Sequence, residues 1–130
     1  MRLLSVSVFA FAIALVIHFA PRAAIAADDA GKTTLSGVLI DQACGAKMVE
    51  KDDPEKAAAE HPRSCAMKED CAKSGYAVIS GKKMVKFDAN GNKLAKDYLE
   101  KSKDDTNLKV KVEGTQHGDQ IDVTDIKAAS

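Results

Sequence analysis

The sequence is poor in aromatic residues, and those it has are unevenly placed. It contains no Trp, two Tyr and four Phe, and three of the Phe fall within the first 26 residues. Any core in the rest of the chain must therefore be built mainly from Val, Ile, Leu, Met and Ala, with help from Tyr76, Phe87 and Tyr98. At 130 residues, the chain has material for one domain with a single core and not for two.

Long apolar runs are equally scarce. Residues 3–17 (LLSVSVFAFAIALVI) form one uninterrupted run, shorter than the roughly 18–20 residues that cross a bilayer. The run follows Arg2 and leads to the small residues Ala24-Ile25-Ala26. This pattern is typical of a secretory signal peptide. The sequence therefore predicts a signal peptide over residues 1–26, cleavage after Ala26 or Ala27, a periplasmic or secreted location, and no membrane span in the mature chain.

The mature chain also lacks an excess of basic charge. The whole sequence has 19 basic and 19 acidic residues, and residues 1–26 carry Arg2 and Arg22 but no acid, so 17 basic and 19 acidic residues remain. The resulting net charge of about −2 gives no global attraction to nucleic acid or to anionic lipid. The sequence accordingly predicts no nucleic-acid partner.

Patterning after residue 26 predicts a domain that is mainly β. A polar flexible leader (27–34) precedes a single domain (35–127) with the order strand, helical insertion, strand, strand, helix, strand, strand. This order predicts a small five-stranded OB-like antiparallel barrel with a helical insertion after the first strand, and Gly37 inside that strand predicts a bulge or a bend. The predicted strands are 35–41, 76–80, 84–88, 108–114 and 121–126, and the predicted helices are 52–60, 65–74 and 94–102; residues 88–92 are predicted to form a turn.

Cysteine is rare, and its count is odd. Cys44, Cys65 and Cys71 all fall in the predicted insertion. On one continuous helix, Cys65 and Cys71 would lie about 9 Å apart along the axis, beyond the roughly 7 Å that a disulfide tolerates between Cα atoms. The first hypothesis is therefore a disulfide of Cys44 with Cys65 or Cys71, which would stabilise the fold by about 3–4 kcal/mol. The leftover thiol would be available for an intermolecular disulfide.

A second hypothesis is a soft-metal site. Cys44, His61, Cys65 and Cys71 form a possible Cys₃His ligand set for Cu or Zn. The spacing does not favour it strongly, because tight C-x₂-C pairs are absent from the sequence.

A third hypothesis is thiol-redox chemistry. Cys65 lies near the start of a predicted helix, beside Arg63 and His61, which would favour its thiolate form. The chain contains neither a C-x-x-C motif nor a nucleophile elbow, so no catalytic residue or cofactor is assigned from sequence. The sequence is best interpreted as a non-enzymatic binding or structural module stapled by a disulfide, with metal binding and thiol-redox chemistry as the alternatives.

Three segments together resemble a group of small exported bacterial OB-like domain proteins of unknown function. The resemblance covers roughly residues 35–126, and its most specific part is the cysteine block. It implies a compact β-barrel and an exported location, and it supplies no activity. The segments are Gly37-Val38-Leu39-Ile40-Asp41-x-x-Cys44-Gly45, then His61-x-x-x-Cys65-x-Met67-x-x-x-Cys71-x-x-Ser74-Gly75-Tyr76, and then Gly114-x-x-x-Gly118-Asp119-x-Ile121-x-Val123.

Overall fold

A computed structural model of the protein describes residues 31–129. The predicted signal peptide, its cleavage site and the first part of the predicted leader lie outside the described residues. The strands are β1 (Lys32–Asp41), β2 (Tyr76–Ser80), β3 (Lys83–Phe87), β4 (Lys109–His117) and β5 (Gln120–Ala128). The helices are α1 (Gln42–Met48), α2 (Pro54–Ala59), α3 (Arg63–Ala66), α4 (Glu69–Lys73) and α5 (Ala89–Lys101).

The five strands form one sheet in the order β1–β2–β3–β5–β4, and β4 pairs back with β1 so that the sheet closes. The pairings of β1 with β2, β1 with β4, β2 with β3 and β4 with β5 are antiparallel, as predicted. The pairing of β3 with β5 is parallel, so the prediction of a wholly antiparallel sheet was wrong there. The prediction of a mainly β domain with five strands is thereby confirmed, and the helical insertion lies after the first strand. Between residues 31 and 129, none of the helices is long and apolar enough to cross a membrane.

Pairing explains why β1 begins earlier than predicted, and capping explains why α5 does. β1 begins at Lys32, and residues 32–34, predicted as leader, pair with residues 113–115 of β4. The predicted turn at residues 88–92 is the start of α5, because Asp88 caps the helix by accepting a hydrogen bond from the amide of Gly91. The strand pairing joins residues that become adjacent only in the fold, whereas the cap is a local contact between residues three positions apart, in a segment whose Asp, Asn and Gly residues also favour a turn.

The insertion consists of four short helices, whereas the sequence predicted two. The predicted helix 65–74 is broken at Lys68, whose backbone is extended with φ −62° and ψ 145°. Cys65 therefore lies on α3 and Cys71 on α4. The prediction that these two cysteines are too far apart to bond assumed that both lie on one continuous helix. That assumption was wrong, because the helix is broken between them.

Two apolar clusters hold the structure together. The larger fills the inside of the sheet and includes Tyr76 and Phe87, as the composition predicted. The smaller lies on the outer side of β1 and β2, where Val38, Ile40 and Ile79 pack against residues of the insertion. Both faces of the end of β1 are therefore covered, and its last residue, Asp41, is fully buried.

Asp88 joins α5 to β5. Its Oδ1 accepts hydrogen bonds from the amides of Gly91 at 2.9 Å and Val123 at 3.0 Å. Burial alone would raise the pKa of the Asp88 carboxyl, but the backbone amides around it, led by that of Val123, hold the pKa below its ordinary value.

Replacement of Asp88 by Ala is expected to lower the free energy of unfolding by about 1–2 kcal/mol at pH 7, since the cap and the link to β5 are both lost. The carboxylate's pKa is lower in the folded protein, so its contribution is complete above the unfolded pKa of about 3.9 and is lost as pH falls through the folded pKa. Urea unfolding of wild type and variant at pH 7 and pH 2.5 checks this; Asp97→Ala, on the exposed side of α5, is the control and should change stability by less than about 0.5 kcal/mol.

Candidate functional site

The site begins where β1 ends and the insertion starts. Asp41 is the last residue of β1 and is fully buried, with 0% of its surface exposed. Its Oδ1 accepts a hydrogen bond of 2.9 Å from the amide of Cys44, which makes Asp41 the N-cap of α1. A cap of this kind satisfies one of the free amides at a helix start. It also brings the thiol-bearing residue Cys44 next to the carboxylate.

Hydrogen bonds between the start of α1 and the end of α4 bring Cys71 to the same place. The amide of Gln42 donates to the carbonyl of Gly75 at 2.8 Å. The amide of Ala43 donates to Ser74 Oγ at 3.1 Å, and Ser74 Oγ donates to the carbonyl of Cys71 at 2.6 Å. Two short helices far apart in sequence are thus joined end to end.

These contacts assemble a compact group of donor atoms. One oxygen of Asp41 and the Sγ atoms of Cys44 and Cys71 all lie within 4.8 Å of one another. A tetrahedral Zn²⁺ with bonds of about 2.0–2.3 Å would hold its donor atoms about 3.3–3.8 Å apart. The three groups are therefore close to the spacing of a metal site. All three cysteines are free thiols in the structure.

His61 approaches the group from the side of the carboxylate. It is 9% exposed, and its Nε2 lies 3.7 Å from Asp41 Oδ2. Within residues 31–129, neither of these two atoms has a hydrogen-bond partner. Buried polar atoms are nearly always paired, and leaving one unpaired costs about 1–3 kcal/mol. This pair therefore requires a physical explanation.

The surroundings of the two thiols oppose their ionisation in the absence of a cation. Burial, followed by the nearby charge of Asp41, raises the pKa of Cys44 to about 11. The same two causes in the same order raise the pKa of Cys71. A bound cation would act in the opposite direction, because a coordinating thiol is deprotonated outright.

This pKa predicts slow alkylation of Cys44 in the metal-free protein. At pH 8 a thiol of pKa about 11 has about 100-fold less thiolate than one of pKa about 9, and the thiolate is the form that reacts. Its rate with iodoacetamide is expected to rise about tenfold per pH unit from pH 8 to pH 10. Peptide mass spectrometry after timed labelling measures the rate, with the same protein in denaturant as the control. Equal rates with and without denaturant at pH 8 would contradict the prediction.

The structure unites only part of the predicted ligand set. Cys44 and Cys71 come together, whereas His61 is outside the group of three and reaches it through Asp41. Cys65, on α3, is not part of the group. Sequence reasoning did not assign Asp41 as a ligand, because an acid at a strand end resembles an ordinary turn residue. The available signal was the Asp-x-x-Cys spacing, which places a cap and a thiol on one turn.

No family model, curated protein or solved structure matches this chain. The site is therefore interpreted from its geometry and its chemistry. Two thiols, a carboxylate and an imidazole form a donor set that borderline and soft divalent metals accept.

Proposed function

We propose that this protein is a small metal-binding module that holds one Zn²⁺ ion through Asp41, Cys44 and Cys71, with His61 as the fourth ligand. The observation that carries the proposal is a pair of buried atoms without hydrogen-bond partners among residues 31–129, Asp41 Oδ2 and His61 Nε2, beside two thiols. The ligand set differs from the one predicted from sequence by including Asp41 in place of Cys65.

A cation accounts for several unfavourable features at once. An unpaired carboxylate is costly to bury, and a nearby positive charge removes much of that cost. The 3.7 Å separation of Asp41 Oδ2 and His61 Nε2 is too long for a hydrogen bond and is a few tenths of an ångström longer than the spacing of about 3.3–3.5 Å that tetrahedral zinc gives an oxygen and a nitrogen ligand. The pKa of Cys44, raised by burial and by Asp41, is also brought down once a metal is bound.

Zinc fits this donor set better than copper does. Zn²⁺ accepts sulfur, nitrogen and carboxylate oxygen in one tetrahedral site. Cu(I) favours sites composed of thiolate and thioether sulfur. Met48, which could supply a thioether, packs against the apolar cluster of Val38, Ile40, Ala58 and Ile79. A preference for Cu(I) would therefore count against the carboxylate as a ligand.

The test is metal loading of the reduced, full-length mature chain. After incubation with Zn²⁺ and removal of the excess, about one equivalent of zinc per chain is expected by elemental analysis. Competition with a chromophoric chelator should show the affinity of Cys44→Ser and of Cys71→Ser reduced at least 100-fold, since even the loss of a group that supports a ligand costs about 10–100-fold. Cys65→Ser is the matched control and should retain wild-type affinity. Wild-type protein without bound zinc, or equal losses in all three variants, would overturn the proposal.

A second candidate is the structural disulfide predicted from sequence. Of the two predicted pairings, the geometry favours Cys44 with Cys71. The Cys44 and Cys71 sulfurs lie within 4.8 Å of each other, and an S–S bond of about 2.05 Å requires only a local approach. Thiol counting on denatured protein from the exported fraction distinguishes the two forms. One free thiol supports a permanent disulfide between Cys44 and Cys71, and three free thiols together with zinc support the metal centre.

The fold type of the protein is proposed from the order of its strands, and its cellular location is proposed from its first residues. The order β1–β2–β3–β5–β4 with α5 between β3 and β4 supports an OB-like barrel. The apolar run over residues 3–17 supports export to the periplasm or the medium. The net charge of about −2 after residue 26 supports a role without nucleic acid. The protein would act there as a non-enzymatic zinc-binding module.

A further inference from the structure

The proposed site has an exposed half and a buried half. Cys44 and Cys71 are each half-buried, whereas Asp41 is 0% exposed and His61 is 9% exposed. The two residues that carry the sulfur ligands are therefore partly open to solvent, while those that carry the oxygen and nitrogen ligands are shielded.

The two sulfur atoms are close enough to bond after a small movement. They lie within 4.8 Å, so an S–S bond of about 2.05 Å requires them to approach by no more than about 2.8 Å. α4, which carries Cys71, has only five residues. It is bounded by the extended residue Lys68 and by Gly75 at φ +85°. Rotation at these two residues, together with side-chain rotation, supplies the required approach.

We propose that Cys44 and Cys71 form a reversible disulfide that releases the metal when the protein meets a small-molecule disulfide. One cysteine thiolate attacks a sulfur of the reagent, the reagent's S–S bond breaks, and one reagent thiolate leaves. The other cysteine thiolate then attacks the mixed disulfide, and the second reagent thiolate leaves. The protein pair loses two electrons, the reagent gains two, and Zn²⁺ departs because both of its sulfur ligands have been consumed. A dithiol reductant reverses the exchange and restores the site.

The metal-release half of this inference rests on the proposed function, and the disulfide half rests on the sulfur geometry. After oxidation only Asp41 and His61 remain as ligands, and two buried donors cannot complete a tetrahedral site. Cys65, on α3 and outside the group of three, is not required.

The experiment titrates zinc-loaded wild-type protein with glutathione disulfide in the presence of a zinc indicator. One zinc ion is expected to be released per protein disulfide formed, and peptide mapping should place that disulfide between Cys44 and Cys71. Dithiothreitol should restore binding of about one equivalent of zinc. Cys65→Ser should behave as wild type.

The outcomes separate the two proposals. Wild-type protein that never loads zinc overturns the proposed function and, with it, the release of metal. Protein that loads zinc but forms no Cys44–Cys71 bond overturns this inference alone. Zinc that stays bound after the bond forms, or a disulfide that maps to Cys65, also overturns it alone.

Discussion

An Asp41→Asn variant is expected to lose at least about 100-fold in zinc affinity while its metal-free form remains as stable as the wild type. An amide cannot supply the negative carboxylate oxygen that Zn²⁺ requires, and the loss of a group that merely supports a ligand already costs about 10–100-fold. Asn and Asp are about equally good as helix N-caps. The bond from the Cys44 amide to the residue at position 41 should therefore survive the substitution.

The stability of the metal-free variant is the more discriminating half of this prediction. Wild type buries the Asp41 carboxylate completely, and its Oδ2 has no hydrogen-bond partner among the described residues. A neutral amide removes the buried charge, so the free energy of unfolding should be unchanged or higher. Asp41→Ala removes the cap as well and should lower it by about 1 kcal/mol.

Chelator competition measures the zinc affinity, and urea unfolding of the zinc-free proteins measures their stability separately. Wild-type zinc affinity in Asp41→Asn would show that the carboxylate is not a ligand. A metal-free Asp41→Asn protein destabilised by more than about 2 kcal/mol would show instead that Asp41 and His61 form a stabilising ion pair. The site would then be structural.

A Gly37→Ala variant is expected to lose more than about 3 kcal/mol of stability, at or beyond the upper end of the usual cost of overpacking. A Cβ atom at this position would lie 2.1 Å from the Ile79 carbonyl oxygen and 2.9 Å from Val78 Cγ2. The oxygen belongs to the backbone of β2, so relief requires the sheet itself to shift. For a domain of this size the loss is a large part of a total of about 5–15 kcal/mol.

Gly81→Ala is the matched control for this substitution. Gly81 has φ +59°, and a Cβ atom added there would meet no other atom of residues 31–129 within 4 Å. Only the left-handed backbone is therefore penalised, by about 1–2 kcal/mol. Denaturant unfolding midpoints and soluble yield measure both variants. A Gly37→Ala protein no less stable than Gly81→Ala would contradict the steric explanation.

Gly37 also illustrates how local reasoning identified a special position, although the bulge that it offered there was wrong and the bend stays a prediction. A glycine inside a strand predicted a bulge or a bend. The pairing of β1 with β4 runs through Gly37 without a register shift, and the bulge lies instead between Glu113 and Gly114. What Gly37 provides is space for the neighbouring β2 backbone. Only the packing of strands shows which explanation applies.

The strands with regular alternation were predictable because their signal is local. Lys109–Val112 alternates exposed and buried positions along β4, as apolar and charged residues alternate in its sequence. α1 was not predicted, since it has seven residues, includes Gly45 and depends on the Asp41 cap. The break at Lys68 was missed because nothing in residues 65–74 prevents a continuous helix locally.

The sequence by itself determined the mainly β class, the number of strands and the insertion that carries every cysteine, because alternation, turn residues and composition act over a few neighbours. Tertiary structure alone decided which of those cysteines meet. Cys44 and Cys71 come together through hydrogen bonds between α1 and the end of α4, and the buried carboxylate beside them comes from the end of β1. Contacts between residues about 30 positions apart depend on how the chain closes, and no local pattern records them.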